Sequence, residues 1–258
     1  MTLGEILDTA FKVFRNNFFS LFLIGVVVQV LSFATFFMVG VTGEPPETAS
    51  GLFLMTLPLL IPLLFLGPLG TAISTRLIAD RYMGLSTSLG GAFTAGVKLL
   101  LPLMGAIFLS GFLTLFGLLL LIIPGIILAL RFALVAPATI VERKGGNAAL
   151  GRSSELTKGV YGKIFCIFLY SIVLSSLLSV MLTTAFGGDS AVGLIMHYLL
   201  QAAIGAYFAA IWTVTYFERR CAVEGFDIQR LAESLGVDAS EAALEEEVSG
   251  SDSEDEWE

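Results

Sequence analysis

Charged residues are sparse enough along this chain to divide it into long apolar runs. Uncharged stretches extend from Phe18 to Gly43, Gly51 to Thr75, Leu99 to Leu130, Ile164 to Gly188 and Ser190 to Phe217. Each exceeds the roughly 20 residues that carry a helix across the hydrocarbon core of a bilayer. The third run, followed past Arg131 to Val141, is about twice one span and predicts a helical hairpin. Its break is expected at Pro124-Gly125, because proline lacks the donor of a continuing helix and glycine permits a reversal of direction. The pattern predicts an all-α integral membrane helical bundle with six transmembrane helices, at residues 18–40, 52–75, 99–122, 125–141, 164–186 and 191–217, plus short amphipathic interfacial helices.

The interfacial helices are expected from helical periodicity in the polar segments. In LGEILDTAFKVFRNN, residues Leu3, Ile6, Leu7, Ala10, Phe11 and Phe14 form one apolar stripe, with Glu5, Asp8, Lys12 and Arg15 off it. LGGAFTAGVK at Leu89 and LGRSSELTKG at Leu150 also open on Leu-Gly and precede a pair of spans, which suggests three copies of a surface helix followed by a hairpin. After the last span, Asp227 can cap a helix whose apolar face is Ile228, Leu231, Ala232 and Leu235, with a staple from Phe226 to Leu231 and a stop at Gly236. The domain organisation is then an amphipathic interfacial helix at 1–17, a six-span membrane domain at 18–217, a cytoplasmic amphipathic helix at 218–237 and an acidic disordered tail at 238–258.

Charge orients the bundle. Lys12, Arg15, Arg76, Arg81, Lys98, Arg143, Lys144, Arg152, Lys158, Lys163, Arg219, Arg220 and Arg230 all fall in segments on one side, whereas GEPPETASG, Pro124-Gly125 and GGDS on the other carry no lysine or arginine. The positive-inside rule places both termini in the cytoplasm of a plasma-membrane protein. The formal net charge of −8 arises from the tail: without its ten acidic residues, 14 basic residues face 12 acidic ones, a balance of +2. A tail so polar and self-repelling solvates itself; recruitment of a basic partner and the acidic surface of a salt-adapted organism are alternative readings.

Composition agrees, with 56% hydrophobic and 14% charged residues, against about 25% charged in a soluble domain. The first apolar run starts late and exceeds a signal-peptide core, so it is expected to stay in the mature protein. Cys166 and Cys221 form neither a disulfide framework nor a zinc pattern and read as structural thiols.

Candidate chemistry is thin. There is one histidine, His197, no carboxylate within an expected span, no phosphate-cradling loop and no metal-ligand spacing, so no cofactor, metal or catalytic residue is assigned and the chain reads as no enzyme. His197 reads as a histidine hydrogen-bonded within the bundle, and Gln29 and Gln201, with Ser171, Ser175, Ser176 and Ser179, read as interhelical hydrogen-bonding groups rather than a solute path. Trp212, Tyr216, Phe217 and Tyr161 fit an interfacial aromatic belt. Nothing gathers the basic residues into a nucleic-acid patch.

Arg131 is the exception. Counted along an unbroken helix from Pro124 it lies roughly 10 Å deep, where a cation costs about 2.5 to 3.5 kcal/mol unless partnered. Backbone carbonyls freed near Pro124 or Pro137, Gln29 or Gln201, or a lipid phosphate bound bidentately are its candidate partners. Arg131, Gln29 and Gln201 are therefore the candidate anion or lipid contacts.

The stretches LGEILDTAFKVFRNNF, IPGIILALRFALVAPATIVE, LGRSSELTKG and ERRCAVEGFDIQRLA resemble the membrane domain found attached to some glycerophosphodiester phosphodiesterases and also as stand-alone membrane proteins. The resemblance covers residues 3 to about 235. It implies architecture only, since the phosphodiesterase chemistry of that family belongs to a separate barrel with paired histidines and metal-binding carboxylates. The resulting expectation is a non-enzymatic membrane module that organises lipids or a protein partner in the membrane or cytoplasm; the alternative is a small transporter or lipid-handling channel.

Overall fold

Where nearly every side chain is apolar, a helix satisfies the backbone internally, and the computed structural model follows that rule. It describes residues 1–42, 62–85, 88–187 and 190–224. These form α1 (Leu3–Asn16), α2 (Phe18–Thr42), a π-helical turn (Pro62–Leu66), α3 (Gly67–Tyr82), α4 (Leu89–Leu120), α5 (Ile122–Arg131), α6 (Val135–Glu142), α7 (Gly146–Thr157), α8 (Tyr161–Phe186) and α9 (Ala191–Glu224), with no strand among the described residues. The polar loop after Gly43, residues 52–61 of the expected second span, the expected helix at 226–236 and the acidic tail lie outside them.

Leu89–Leu120, Ile122–Glu142, Tyr161–Phe186 and Val192–Glu224 are long and apolar enough to cross a membrane. Counted as one broken span, the bent pair Leu3–Asn16 with Phe18–Ala34, at 84°, brings such stretches among the described residues to five. Their outer surface fits that setting: Phe19, Leu101 and Leu119 are 86%, 79% and 80% exposed, and a water-facing protein rarely keeps so large an apolar surface. The chain is thus an all-helical protein of membrane type.

Residue contacts divide the chain into two units, Met1–Tyr216 and Phe217–Glu258. In the first, the main core joins Ile6 and Ala10 of α1, Leu21 of α2, Ile73, Leu77 and Ile78 of α3, Ala92 of α4, Ile167 of α8 and Ala206 to Val214 of α9. α3 is buried almost throughout from Ala72 to Asp80. Of the second unit, residues 217–224 are described; they end α9 and carry an Arg220–Glu224 ion pair of 2.9 Å.

Several expectations change here. The hairpin break falls at Leu121, in extended conformation, rather than at Pro124-Gly125. Proline 124 would leave the Leu120 carbonyl unpaired in a continuous helix, so the chain breaks there, and Pro124 occupies the first turn of α5, where no intrahelical donor is required. Gly125 serves close approach instead of reversal: a Cβ there would sit 2.6 Å from Leu118 Cα. The expected fourth span is itself interrupted at Phe132–Leu134, for the matching reason that Pro137 cannot bond the Ala133 carbonyl. No carbonyl within a continuous helix is therefore freed by either proline.

The three expected surface helices also diverge. LGGAFTAGVK is continuous with α4, so that copy forms no separate helix. α1 starts on a capping box between Thr2 and Glu5 and turns through Asn17, whose side-chain amide donates to Val13 O at 2.9 Å. Its apolar stripe is spent largely on protein: Ile6 and Ala10 are fully buried in the core, and Phe11 remains exposed. α7 buries Ala149, Leu150, Ser153, Leu156 and Thr157.

Candidate functional site

The break between α5 and α6 makes the site around Arg131. Arg131 is the last residue of α5, and its cationic side chain opposes the negative end of the helix dipole. With the helix stopped, the Arg131 carbonyl and the Leu134 amide need outside partners, and α7 supplies them. Ser153 donates its hydroxyl to Arg131 O at 2.9 Å and accepts from Leu134 N at 3.1 Å. Thr157 donates to the same carbonyl at 3.2 Å. The Arg131 guanidinium donates through Nε to Ser154 Oγ, and the side chain is otherwise exposed. Its partner is thus a hydroxyl of the connector α7, neither of the glutamines and no proline-freed carbonyl.

About two turns beyond the break, at the end of α6, Glu142 ties three elements together. Its carboxylate accepts from Arg152 Nε at 2.6 Å, Lys144 Nζ at 2.8 Å and the Tyr216 hydroxyl at 2.7 Å. Arg152 also pairs with Glu155 at 2.9 Å. The Glu142 and Arg152 side chains are only 8% and 10% exposed, so α6, α7 and α9 meet at a buried ion pair. Sequence reasoning missed this cluster and put Tyr216 in an aromatic belt; Tyr216 is instead fully buried and bonded to Glu142. The signal available was a glutamate, an arginine ten residues on and a tyrosine on a distant span, which no local spacing connects.

The structure brings Gln29 and Gln201 together, away from Arg131. They line one crevice of about 130 Å³ between α2, α3 and α9, with Thr71 and Ser74 beside them. Close helix approach frames it: a Cβ on Gly25 would meet Ala202 O at 2.7 Å, and one on Gly70 would meet Val28 Cγ2 at 2.8 Å. Neither amide has a hydrogen bond to a described residue. Gln29 also lines an apolar groove of about 290 Å³ with Val26, Val30, Phe33, Ile195 and Tyr198. A third groove, about 480 Å³, runs beside the break, with Phe132 and Ala133 in its wall opposite Ser110, Thr114 and Trp212.

The remaining candidates are local. His197 Nδ1 and Ser179 Oγ approach at 3.5 Å, the outer limit of a hydrogen bond. Ser171 back-bonds to Ile167 O of its own helix rather than across to another. Cys166 and Cys221 are free and exposed. Several acidic side chains are taken up locally: Glu5 closes its capping box, Asp8 pairs with Lys12, Asp80 with Arg76 and Glu155 with Arg152. Among the described residues, no three of His, Cys, Asp and Glu come together as metal ligands. No protein-family model, curated protein or solved structure matches the chain.

Proposed function

We propose that this chain is a six-span protein of the plasma membrane, with both termini cytoplasmic, and that it acts as a non-enzymatic membrane module holding anionic lipid at Arg131. The observation that carries this reading is the exposed guanidinium at the end of α5, held at Nε by the neutral Ser154 hydroxyl. That contact fixes the direction of the side chain without cancelling its charge. A guanidinium so held can take a phosphate with its remaining donors. The groove walled by Phe132 and Ala133 offers apolar surface for an acyl chain next to it. Orientation rests on the basic residues gathered in one set of connecting segments. Kinship with the membrane domain attached to some glycerophosphodiester phosphodiesterases belongs to the same proposal and rests on the four stretches quoted above. The alternative, a small transporter or lipid-handling channel, has the crevice of Gln29 and Gln201 in its favour.

The test is the lipid that remains with purified protein. Arg131→Leu and Arg131→Lys should both retain several-fold less anionic phospholipid than wild type by mass spectrometry, because one removes the charge and the other the planar fork. Thermal unfolding controls for the fold. Wild-type lipid content in both variants would overturn the assignment, and if Arg131→Leu fails to fold, Arg131→Lys still decides it.

A further inference from the structure

Gln29 stands where two cavities of opposite character meet. On one side of it lies the apolar groove between α2 and α9, open laterally, with Val30 and Ile195 59% and 60% exposed. On the other lies the crevice closed by α3, whose polar lining is Gln29, Gln201, Thr71 and Ser74. The shape is that of an amphiphile: a long apolar slot leading to a small polar end.

The chemistry of the polar end restricts the head group. Two carboxamides present donors and acceptors that no described residue uses, and a buried or half-buried amide without a partner is costly. Thr71 spends its proton on Gly67 O at 3.0 Å and keeps lone pairs free. Among the described residues, no lysine, arginine, histidine or carboxylate lines either cavity. A phosphate or an ammonium would enter with no counter-charge, which low-polarity surroundings penalise strongly. A hydroxyl or an ester carbonyl meets no such penalty and matches the amides in both directions. At about 130 Å³ the crevice holds on the order of four waters at ~30 Å³ each, room for a hydroxymethyl group and an ester.

We propose that the junction at Gln29 is a binding site for an uncharged, hydroxyl-bearing lipid of the diacylglycerol type, its free hydroxyl between Gln29 and Gln201 and an acyl chain in the groove beside Val30 and Ile195. The site shares no residue with the Arg131 contact and selects the opposite kind of head group. It goes beyond the proposal made for Arg131 and stands or falls separately.

The test uses the full-length protein in nanodiscs of a neutral phosphatidylcholine, with a diacylglycerol carrying a photoreactive group in one acyl chain. Labelled peptides should map to α2 and α9. Unlabelled diacylglycerol should compete, and phosphatidic acid with the same acyl chains, which differs by the phosphate alone, should compete at least about tenfold less well. Gly205→Leu should fill the crevice, since a Cβ there meets no atom within 4 Å. Ile195→Trp should fill the groove. Each should lower labelling about tenfold or more. Equal competition by phosphatidic acid, label spread over other helices, or wild-type labelling in both filling variants would overturn the site. The competition and Ile195→Trp decide the matter even if Gly205→Leu does not fold.

Discussion

At the scale of single residues, glycine has two opposite roles within one crevice. Gly25 and Gly205 both line it, yet a Cβ on Gly25 would press to 2.7 Å against the Ala202 carbonyl, whereas one on Gly205 meets nothing. Gly25→Ala should therefore destabilise the protein by about 1–3 kcal/mol through overpacking against backbone that cannot yield. Gly205→Ala should stabilise it by about 0.5–1 kcal/mol, the usual gain from removing a helix-interior glycine. Thermal unfolding of the two variants in one detergent reads the difference, and equal shifts would show that the close approach of α2 and α9 is not tight.

At the scale of elements, the break between α5 and α6 is held by chemistry from outside those two helices. Ser153 closes the backbone groups freed on either side of it, and Glu142 anchors the short α6 to α7 and α9 through Arg152 and Tyr216. Removing one member of a buried pair strands the other. Glu142→Gln should cost about 3–5 kcal/mol, and the double change Glu142→Gln with Arg152→Gln should cost less than the two single changes added together. A thermodynamic cycle over the four proteins measures this. Strict additivity would mean that the 2.6 Å contact contributes no coupling.

At the scale of the whole molecule, buried residues collect in the part of the bundle that holds α3, the break and the start of α8, while Leu119 to Ile123 stand well exposed. Apolar side chains that find no protein partner are expected to find lipid. Orientation is the property to test at this scale. Cysteines introduced at Thr48 and Ser190 should react with an impermeant thiol reagent in intact cells, and one at Gly146 should be protected. The background needs Cys166 and Cys221 replaced, since both are free and exposed. Protection at Thr48 and Ser190 with labelling at Gly146 would reverse the topology.

The helical class and the approximate place of most apolar helices follow from sequence alone, because an apolar run of span length has one economical way to satisfy its backbone in lipid. Leu99 to Leu130 and Ile164 to Gly188 were legible for that reason, and Gln29, Gln201 and Arg131 stood out as polar residues in such runs. Where the chain breaks was half legible: the two prolines marked it, but the hydrogen bond each cannot make lies four residues upstream, so Leu121 and Phe132–Leu134 break instead. Tertiary structure alone decided which polar groups meet. Arg131 finds Ser154, Glu142 finds Arg152 and Tyr216, and the two glutamines find one crevice. Partners separated by ten to more than a hundred residues leave no periodic trace, since periodicity records which face of a helix is buried and carries no information on which helix buries it.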